Sequence, residues 1–177
     1  PLYLNSFFLE SGEALFLPSG IMHAYIRGTG LELMTNSDNL LRCGLTPKHI
    51  DIPEMLSILD PAPAKPLIIR ADLSPGSFRY RTPVREFELH AVAPHLKEVS
   101  IELNGPAVIF GEDGRISIRP RNGDPLEIAR GNAIFAAAAA ESLSFSGSGC
   151  VYIATVADTD LMTTDTVAHA ESRGNKQ

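Results

Sequence analysis

Short apolar runs separated by Gly, Ser, Asn and Pro are the feature that most limits what this chain can fold into. Over residues 3–42 the runs FFLE, ALFLP, MHAYIR and LELMT alternate with SGE, SG and GTG. From residue 67 the pattern returns, with the runs EFELHAVA, EVSIEL, AVIFGE, RISIRP, LEIA, NAIFA, LSFSG and CVYIATV. Short strands with closely spaced turn residues are typical of an antiparallel sandwich or barrel. The sequence therefore predicts a mainly β protein.

Residues 43–66 depart from the strand pattern. The pair Thr46–Pro47 and the spacing Asp51-x-Pro53 are both typical of helix starts, because proline is tolerated in the first turn. Apolar residues then recur at helical spacing, namely Ile52, Met55, Leu56 and Leu59. The run PAPAKP that follows indicates a stiff linker. We therefore expect a first β module at 1–42, a helical connector with a Pro-rich linker at 43–66, a second β module at 67–157 and a polar tail at 158–177.

Composition excludes several classes of function. The 177 residues carry a net charge of -6, which argues against a nucleic-acid-binding surface, since that needs a basic stripe. No apolar run is long enough to cross a membrane, and the N-terminus lacks the basic segment and cleavage site of a signal peptide. The two cysteines, Cys43 and Cys150, form no CxxC motif, so we expect free thiols in a reducing compartment, the cytoplasm. The sequence begins in a strand-like run and lacks an initial Met, so we expect it to be a piece of a longer protein. The alternative is an initiator Met that has been removed.

A short internal repeat links the two predicted β modules. The segment GEALFLPSGIMHAYI, from Gly12, aligns with GNAIFAAAAAESLSF, from Gly131. The alignment puts Ala137 in the place of Pro18 and Ser142 in the place of His23. On this comparison the run of alanines at 136–140 forms a strand end and a turn rather than a helix, although alanine favours helices.

His23 is the candidate metal ligand. Five residues separate Gly12 from Pro18, and four separate Pro18 from His23. This spacing of Gly, Pro and His resembles the second sequence motif of cupins. Cupins are small double-sheet β-barrels (jelly rolls) that bind a metal inside the barrel. Strand alternation would place Tyr25 and Arg27 on the same face as His23. A buried histidine with one hydrogen bond is the alternative. One histidine cannot hold zinc, which takes three or four protein ligands, and the other histidines form no HxH pair.

The segments GEALFLPSGIMHAY and ELMTNSDNLLRCGLTPKHIDI, with nineteen positions from His23 to Arg42, make the resemblance more specific. The chain resembles the C-terminal portion of the type I mannose-6-phosphate isomerase (phosphomannose isomerase) family. The likeness is close over roughly the first 60 residues and looser over residues 80–156. It implies that residues 1–42 end a catalytic cupin barrel and that residues 67–157 form a degenerate cupin-like module.

The resemblance also implies a function and a set of site residues. Members of this family interconvert mannose 6-phosphate and fructose 6-phosphate with a bound zinc, as cytoplasmic enzymes that supply GDP-mannose biosynthesis. His23 corresponds to one zinc ligand, and the remaining ligands, a Gln, a His and a Glu, have no counterpart in this chain. Arg42 corresponds to the active-site arginine, whereas Tyr25, Glu32 and Lys48 match pocket-lining positions that contact the sugar phosphate. A chain with one of four zinc ligands is expected to be inactive alone.

Other interpretations remain open at this point. The chain could be a non-catalytic sugar-binding or scaffold cupin, or another cupin enzyme such as an iron dioxygenase. Lys48 has the alternative of an exposed lysine at a helix start, Glu32 that of a solvated strand residue and Tyr25 that of a barrel-lining aromatic. The sequence does not decide which group is the catalytic base, and it leaves the oligomeric state open.

Overall fold

The computed structural model describes residues 4–37, 40–63, 65–95 and 97–157. The chain divides into two compact units, a first unit of Pro1–Arg70 and a second unit of Ala71–Gln177. The polar tail expected at 158–177 lies outside the described residues. Within the described ranges, no helix combines the length and the apolar character that crossing a bilayer requires.

The described residues of the first unit form two paired strands and one helix. Strand β1 (Glu13–Phe16) pairs antiparallel with β2 (Leu67–Arg70). Helix α1 (Ile52–Ile58) begins where Asp51 and Pro53 predicted it. The Asp51 side chain caps the helix by accepting the Glu54 N–H at 3.1 Å.

The second predicted helix start, at Thr46–Pro47, is wrong. The structure assigns no helix at these positions. Instead, the Thr46 hydroxyl accepts the Lys48 N–H at 3.2 Å. A threonine hydroxyl that bonds the backbone two residues on favours a turn over a helix.

Three expected strands of the first module are also absent from the structure. The runs FFLE, MHAYIR and LELMT are not assigned as strands. A strand requires a neighbour to complete its ladder of hydrogen bonds, and in the described part of the first unit only β1 and β2 supply one for each other. Large apolar side chains in these runs therefore stay exposed, among them Phe8 at 78% and Ile26 at 82%.

The described part of the second unit forms an antiparallel sheet of eight strands. The strands are β3 (Asp72–Ser74), β4 (Ser77–Tyr80), β5 (Glu88–Val92), β6 (Val99–Glu102), β7 (Ala107–Pro120), β8 (Leu126–Ala129), β9 (Ala133–Ala136) and β10 (Ser142–Thr155). In the main path their order is β3-β4-β5-β10-β7-β8, while β6 also pairs with β10 and β9 with β7. The prediction of a mainly β protein is confirmed.

Strands β7 and β10 are each twice as long as the sequence predicts. The runs AVIFGE and RISIRP join into β7, and LSFSG and CVYIATV join into β10, with a bulge at Cys150/Val151. Gly114 has a φ of 66° and lies so close to the backbone of Ser148 and Gly149 that a Cβ would clash with it. Gly114 therefore lies at a bend where the two strand backbones approach each other, and not in the turn between two strands that the sequence indicates.

The inward side chains of β7 and β10 form most of the core of the second unit. Ile109, Ile116, Phe145, Val151 and Ile153 are each 0% exposed. They alternate with outward residues along both strands, as a half-buried sheet requires. The core thus lies against one face of this sheet.

The internal repeat is visible in the backbone. Gly12 and Gly131 have φ angles of 87° and 82°, and β1 and β9 begin within two residues after them. Both positions need the left-handed conformation that glycine adopts without strain. After β9 the alanines form a single 3-10 turn at Ala138–Ala140, so the predicted strand end and turn are confirmed.

Candidate functional site

The His23 ring makes one hydrogen bond to the nearby backbone. Its Nδ1 lies 3.1 Å from the carbonyl oxygen of Ile21. Because a carbonyl only accepts, Nδ1 carries the proton and donates it, which leaves the lone pair on Nε2. The residue is exposed. His23 is therefore not buried in this chain, and its ring presents a nitrogen that is able to bind a metal ion.

Tyr25 connects His23 to Glu32. The rings of His23 and Tyr25 meet edge to face, with centroids 5.9 Å apart and planes at 72°. The Tyr25 hydroxyl donates to Glu32 Oε1 at 3.3 Å. Partial desolvation, and then the charge and hydrogen bond of Glu32, raise the pKa of Tyr25, so the phenol keeps its proton and remains the donor. The structure thus brings three of the five predicted site residues into contact.

Arg27 lies against the ring of Phe8. Its guanidinium carbon lies 5.6 Å from the centre of the Phe8 ring, in the geometry of a cation–π contact. Since MHAYIR is not a strand here, the rule of alternating faces does not apply to Arg27.

Arg42 and Lys48, the other two predicted site residues, are exposed. Among the residues that the structure describes, no hydrogen bond or ion pair joins either of them to His23, Tyr25 or Glu32. The structure therefore places the two cations on the surface of the first unit without assembling them into one site with the other three.

A zinc site needs more donors than the described residues provide. Zinc in a catalytic site takes three protein ligands and an exchangeable water. Within the described ranges, no group of three or more His, Cys, Asp or Glu side chains could hold a metal ion. His23 offers one suitable nitrogen, so these residues by themselves do not fit a zinc ion.

A buried ionic cluster in the second unit was not predicted from the sequence. Glu88 is 3% exposed, and its carboxylate accepts Arg79 Nη2 at 2.7 Å through Oε2 and His90 Nε2 at 2.6 Å through Oε1. Burial alone would raise the pKa of Glu88, but the hydrogen bonds and charges of His90 and Arg79 outweigh it and lower the pKa. The available signal was the spacing of Glu88, His90 and Val92, which places all three on the same face of β5.

No family model matches the chain. Several proteins of known function match its sequence. The chain is 39% identical over 153 residues to the mannose-6-phosphate isomerase of Salmonella typhimurium and 35% identical over 153 residues to that of Escherichia coli. Each alignment covers 84% of this chain and 38% of the relative. It is also 32% identical over 142 residues to the human mannose-6-phosphate isomerase, which covers 75% of this chain and 34% of the relative.

Solved structures give the same result. The phosphomannose isomerase of Salmonella typhimurium bound to fructose 6-phosphate and zinc aligns with a TM-score of 0.60 and 30% identity, over 70% of this chain and 32% of that one. A variant of the same enzyme aligns with a TM-score of 0.60 and 31% identity, over 68% of this chain. The predicted cupin-like fold is confirmed by this match. The chain spans less than two fifths of the length of these relatives. It belongs to the mannose-6-phosphate isomerase family and matches the C-terminal portion of its members.

Proposed function

We propose that this chain supplies the C-terminal part of a zinc-dependent isomerase that interconverts mannose 6-phosphate and fructose 6-phosphate. Relatives of this name cover 84% of the chain, and a neighbour of the same fold binds fructose 6-phosphate and zinc. The chain spans 38% of such a relative, and its described residues hold no group of three or more possible metal ligands, so we expect it to be inactive alone. Its two free thiols are consistent with a cytoplasmic enzyme.

One observation carries this proposal. Variants of the Salmonella typhimurium enzyme have been solved in which alanine replaces a histidine, a glutamate nine residues later and an arginine ten residues after that. His23, Glu32 and Arg42 repeat these three residue types at the same two spacings. The agreement supports a shared site, because a chance match would have to satisfy three identities and two distances together.

His23 has the form that zinc ligation requires. A zinc-bound histidine usually donates its second ring N–H to a carboxylate or a backbone carbonyl, which fixes the tautomer and the orientation of the ring. His23 donates Nδ1–H to the Ile21 carbonyl and leaves Nε2 for the metal. When bound, zinc would act as a Lewis acid on the oxygens of the sugar. We assign His23 Nε2 as the one ligand that this chain contributes.

The remaining residues act on the substrate. Aldose–ketose isomerisation moves a proton between two adjacent carbons through an enediolate, which needs a proton carrier and stabilisation of negative charge. The Glu32 carboxylate is able to carry a proton. It accepts a hydrogen bond from the Tyr25 hydroxyl, and this bond positions the carboxylate. Arg42 always carries its charge and is the candidate for stabilising the enediolate. Lys48, an exposed cation on the same unit, is the candidate for the phosphate.

A chimera tests this assignment. In it, this chain replaces the matching region of the Salmonella typhimurium isomerase, so that every part of the family polypeptide is present. We expect turnover of mannose 6-phosphate by the chimera and none by the 177-residue chain. Arg42→Ala should lower kcat of the chimera by about 100-fold or more while zinc is retained, because one transition-state donor is lost.

The control is Arg119→Ala, which removes an exposed arginine from the second unit and should leave kcat unchanged. Equal turnover by the two variants would overturn the assignment of Arg42. Equal turnover by the chimera and the isolated chain would overturn the proposal that the chain supplies only part of the site. An inactive, folded chimera would favour a non-catalytic cupin instead.

A further inference from the structure

The sequence contains two Asn–Gly pairs, Asn104–Gly105 and Asn122–Gly123. The first lies between β6 and β7, and the second between β7 and β8. An asparagine followed by glycine is chemically reactive, because glycine has no Cβ to hinder its backbone nitrogen and adopts conformations that other residues avoid. The two pairs therefore offer the same chemistry in two surroundings, and the structure shows which surroundings permit it.

The reaction is deamidation of the asparagine side chain. The backbone nitrogen of the glycine loses its proton and attacks the side-chain carbonyl carbon of the asparagine. A carbon–nitrogen bond forms, the side-chain amide leaves as ammonia, and a succinimide ring results. Water then opens the ring at one of its two carbonyl groups, which gives aspartate or isoaspartate. No group is oxidised or reduced, and the one co-reactant is water. The step requires the peptide nitrogen to move towards the side chain, so it needs a backbone that is free to rotate.

The surroundings of Asn122 leave the backbone this freedom. The connection between β7 and β8 is exposed along its whole length. A Cβ on Gly123 would meet only the ring of Pro120, at an ordinary contact distance of 3.7 Å. Among the residues that the structure describes, no hydrogen bond involves the Asn122 side chain or the Gly123 N–H. The nearest restraint is the N–H of Arg121, which donates to the Ser142 carbonyl at 3.2 Å.

The surroundings of Asn104 restrain the backbone on both sides. Leu103 is 8% exposed and donates its N–H to a backbone carbonyl at 2.7 Å. The carbonyl of Pro106 accepts a hydroxyl from β10 at 3.1 Å. Between them Gly105 lies so close to Val156 that a Cβ would be 3.0 Å from its side chain. Rotation of the peptide bond after Asn104 therefore requires this part of the sheet to open first.

We propose that Asn122 is a site of spontaneous deamidation in this protein, and that the fold protects Asn104 from the same reaction. The product adds one negative charge to a chain whose net charge is -6. In its isoaspartate form it also lengthens the main chain of the connection between β7 and β8. The proposal rests on the second unit alone and is independent of the proposed isomerase activity.

Peptide mapping of the 177-residue chain tests the proposal. The chain is incubated at pH 8, once folded and once in guanidinium chloride, and mass spectrometry follows deamidation at each asparagine. In guanidinium chloride the two positions should react at similar rates, because the sequence pair is the same. In the folded chain we expect Asn122 to keep that rate within about threefold and Asn104 to react at least about tenfold more slowly, since its reaction requires local opening. The reaction at Asn122 should be slower at pH 6, where fewer peptide nitrogens are deprotonated.

Asn122→Gln is the control variant. It keeps the amide at an exposed position, but the longer side chain would have to close a larger and less favourable ring. It should remove the main acidic form in isoelectric focusing and leave the circular dichroism spectrum unchanged.

Equal rates at the two positions in the folded chain would overturn the proposal, and so would equal protection of both relative to guanidinium chloride. Should circular dichroism show that the isolated chain is unfolded, the same map of the chimera provides the reading. The rates do not depend on turnover, so failure of this proposal and failure of the isomerase proposal are distinguishable.

Discussion

Removing the Glu88 carboxylate should destabilise the second unit strongly. In the Arg79–Glu88–His90 cluster the three side chains are 22%, 4% and 9% exposed, and Glu88 accepts from both partners. Glu88→Ala leaves a buried histidine and a mostly buried arginine without their shared acceptor. Breaking a buried ion pair by removing one partner costs about 3–5 kcal/mol, and the partial exposure of Arg79 favours the low end, about 3 kcal/mol.

The exposed pair Arg115–Glu127 supplies the matched control. Its N–O distance is 2.8 Å, close to that of the buried pair, but its side chains are 69% and 63% exposed. A surface ion pair of this kind contributes at most about 1 kcal/mol. In the isolated chain, chemical unfolding followed by circular dichroism should therefore give a loss about three times larger for Glu88→Ala than for Glu127→Ala. Equal losses for the two variants would refute the reasoning.

The same cluster predicts a pH dependence. Because the pKa of Glu88 is lower in the folded chain than in the unfolded chain, its contribution to stability is complete at neutral pH. The contribution is lost as the pH falls below the ordinary carboxyl range, through the folded-state pKa. The difference in free energy of unfolding between the unsubstituted chain and Glu88→Ala should therefore be larger at pH 7 than at pH 3. A difference that does not change between these values would contradict the assignment.

Two further predictions concern the bend in β7 and β10 and the two thiols. Gly114→Ala should lower the free energy of unfolding by about 2 kcal/mol or more, because a Cβ at this positive φ would clash with the Ser148 carbonyl. The control Gly30→Ala, where a Cβ meets open space, should change the free energy of unfolding by no more than about 0.5 kcal/mol. Equal effects of the two variants in urea titrations would contradict the close approach of the two backbones. Burial and the hydrogen bond with Glu112 raise the pKa of Cys150 to about 12, so at pH 8 roughly one thiol in ten thousand is ionised there. A disulfide reagent should therefore label exposed Cys43 first, and faster labelling of Cys150 in the peptide map would contradict this.

Much of the second unit could be predicted from the sequence because its strands carry their own alternation. Ile109 and Ile153 alternate with outward residues, and the paired strands bury them. The helix start at Asp51 was equally clear, since a capping side chain and a nearby proline act locally. Local signals of this kind need no knowledge of the rest of the fold.

Features that depend on partners in space could not be predicted in the same way. The run MHAYIR has the composition of a strand, but a strand forms only beside another one, and the described residues of the first unit do not provide it. A glycine between two apolar runs, such as Gly114, is typical of a turn. Its position at a bend became clear only from the nearby backbone of Ser148. The cluster around Glu88 required knowing that β4 lies beside β5, which brings Arg79 opposite His90.

The candidate site shows the same division. His23 was identified from spacing alone, and its contact with Tyr25 and the link from Tyr25 to Glu32 follow from segments close in sequence. The roles of Arg42 and Lys48 come from the family resemblance, and they stay predictions.

Zinc content tests the central claim most directly, namely that this chain contributes a metal ligand to a mannose-6-phosphate isomerase. His23→Ala and the control His95→Ala each remove one exposed histidine from the chimera. After purification and dialysis, zinc per polypeptide is measured by elemental analysis. The account predicts at least a tenfold lower zinc content for His23→Ala and an unchanged zinc content for His95→Ala. Loss of an outer-shell partner of a metal ligand already lowers metal affinity about tenfold or more, and loss of the ligand itself should lower it at least as much. Equal zinc in the two variants would contradict it.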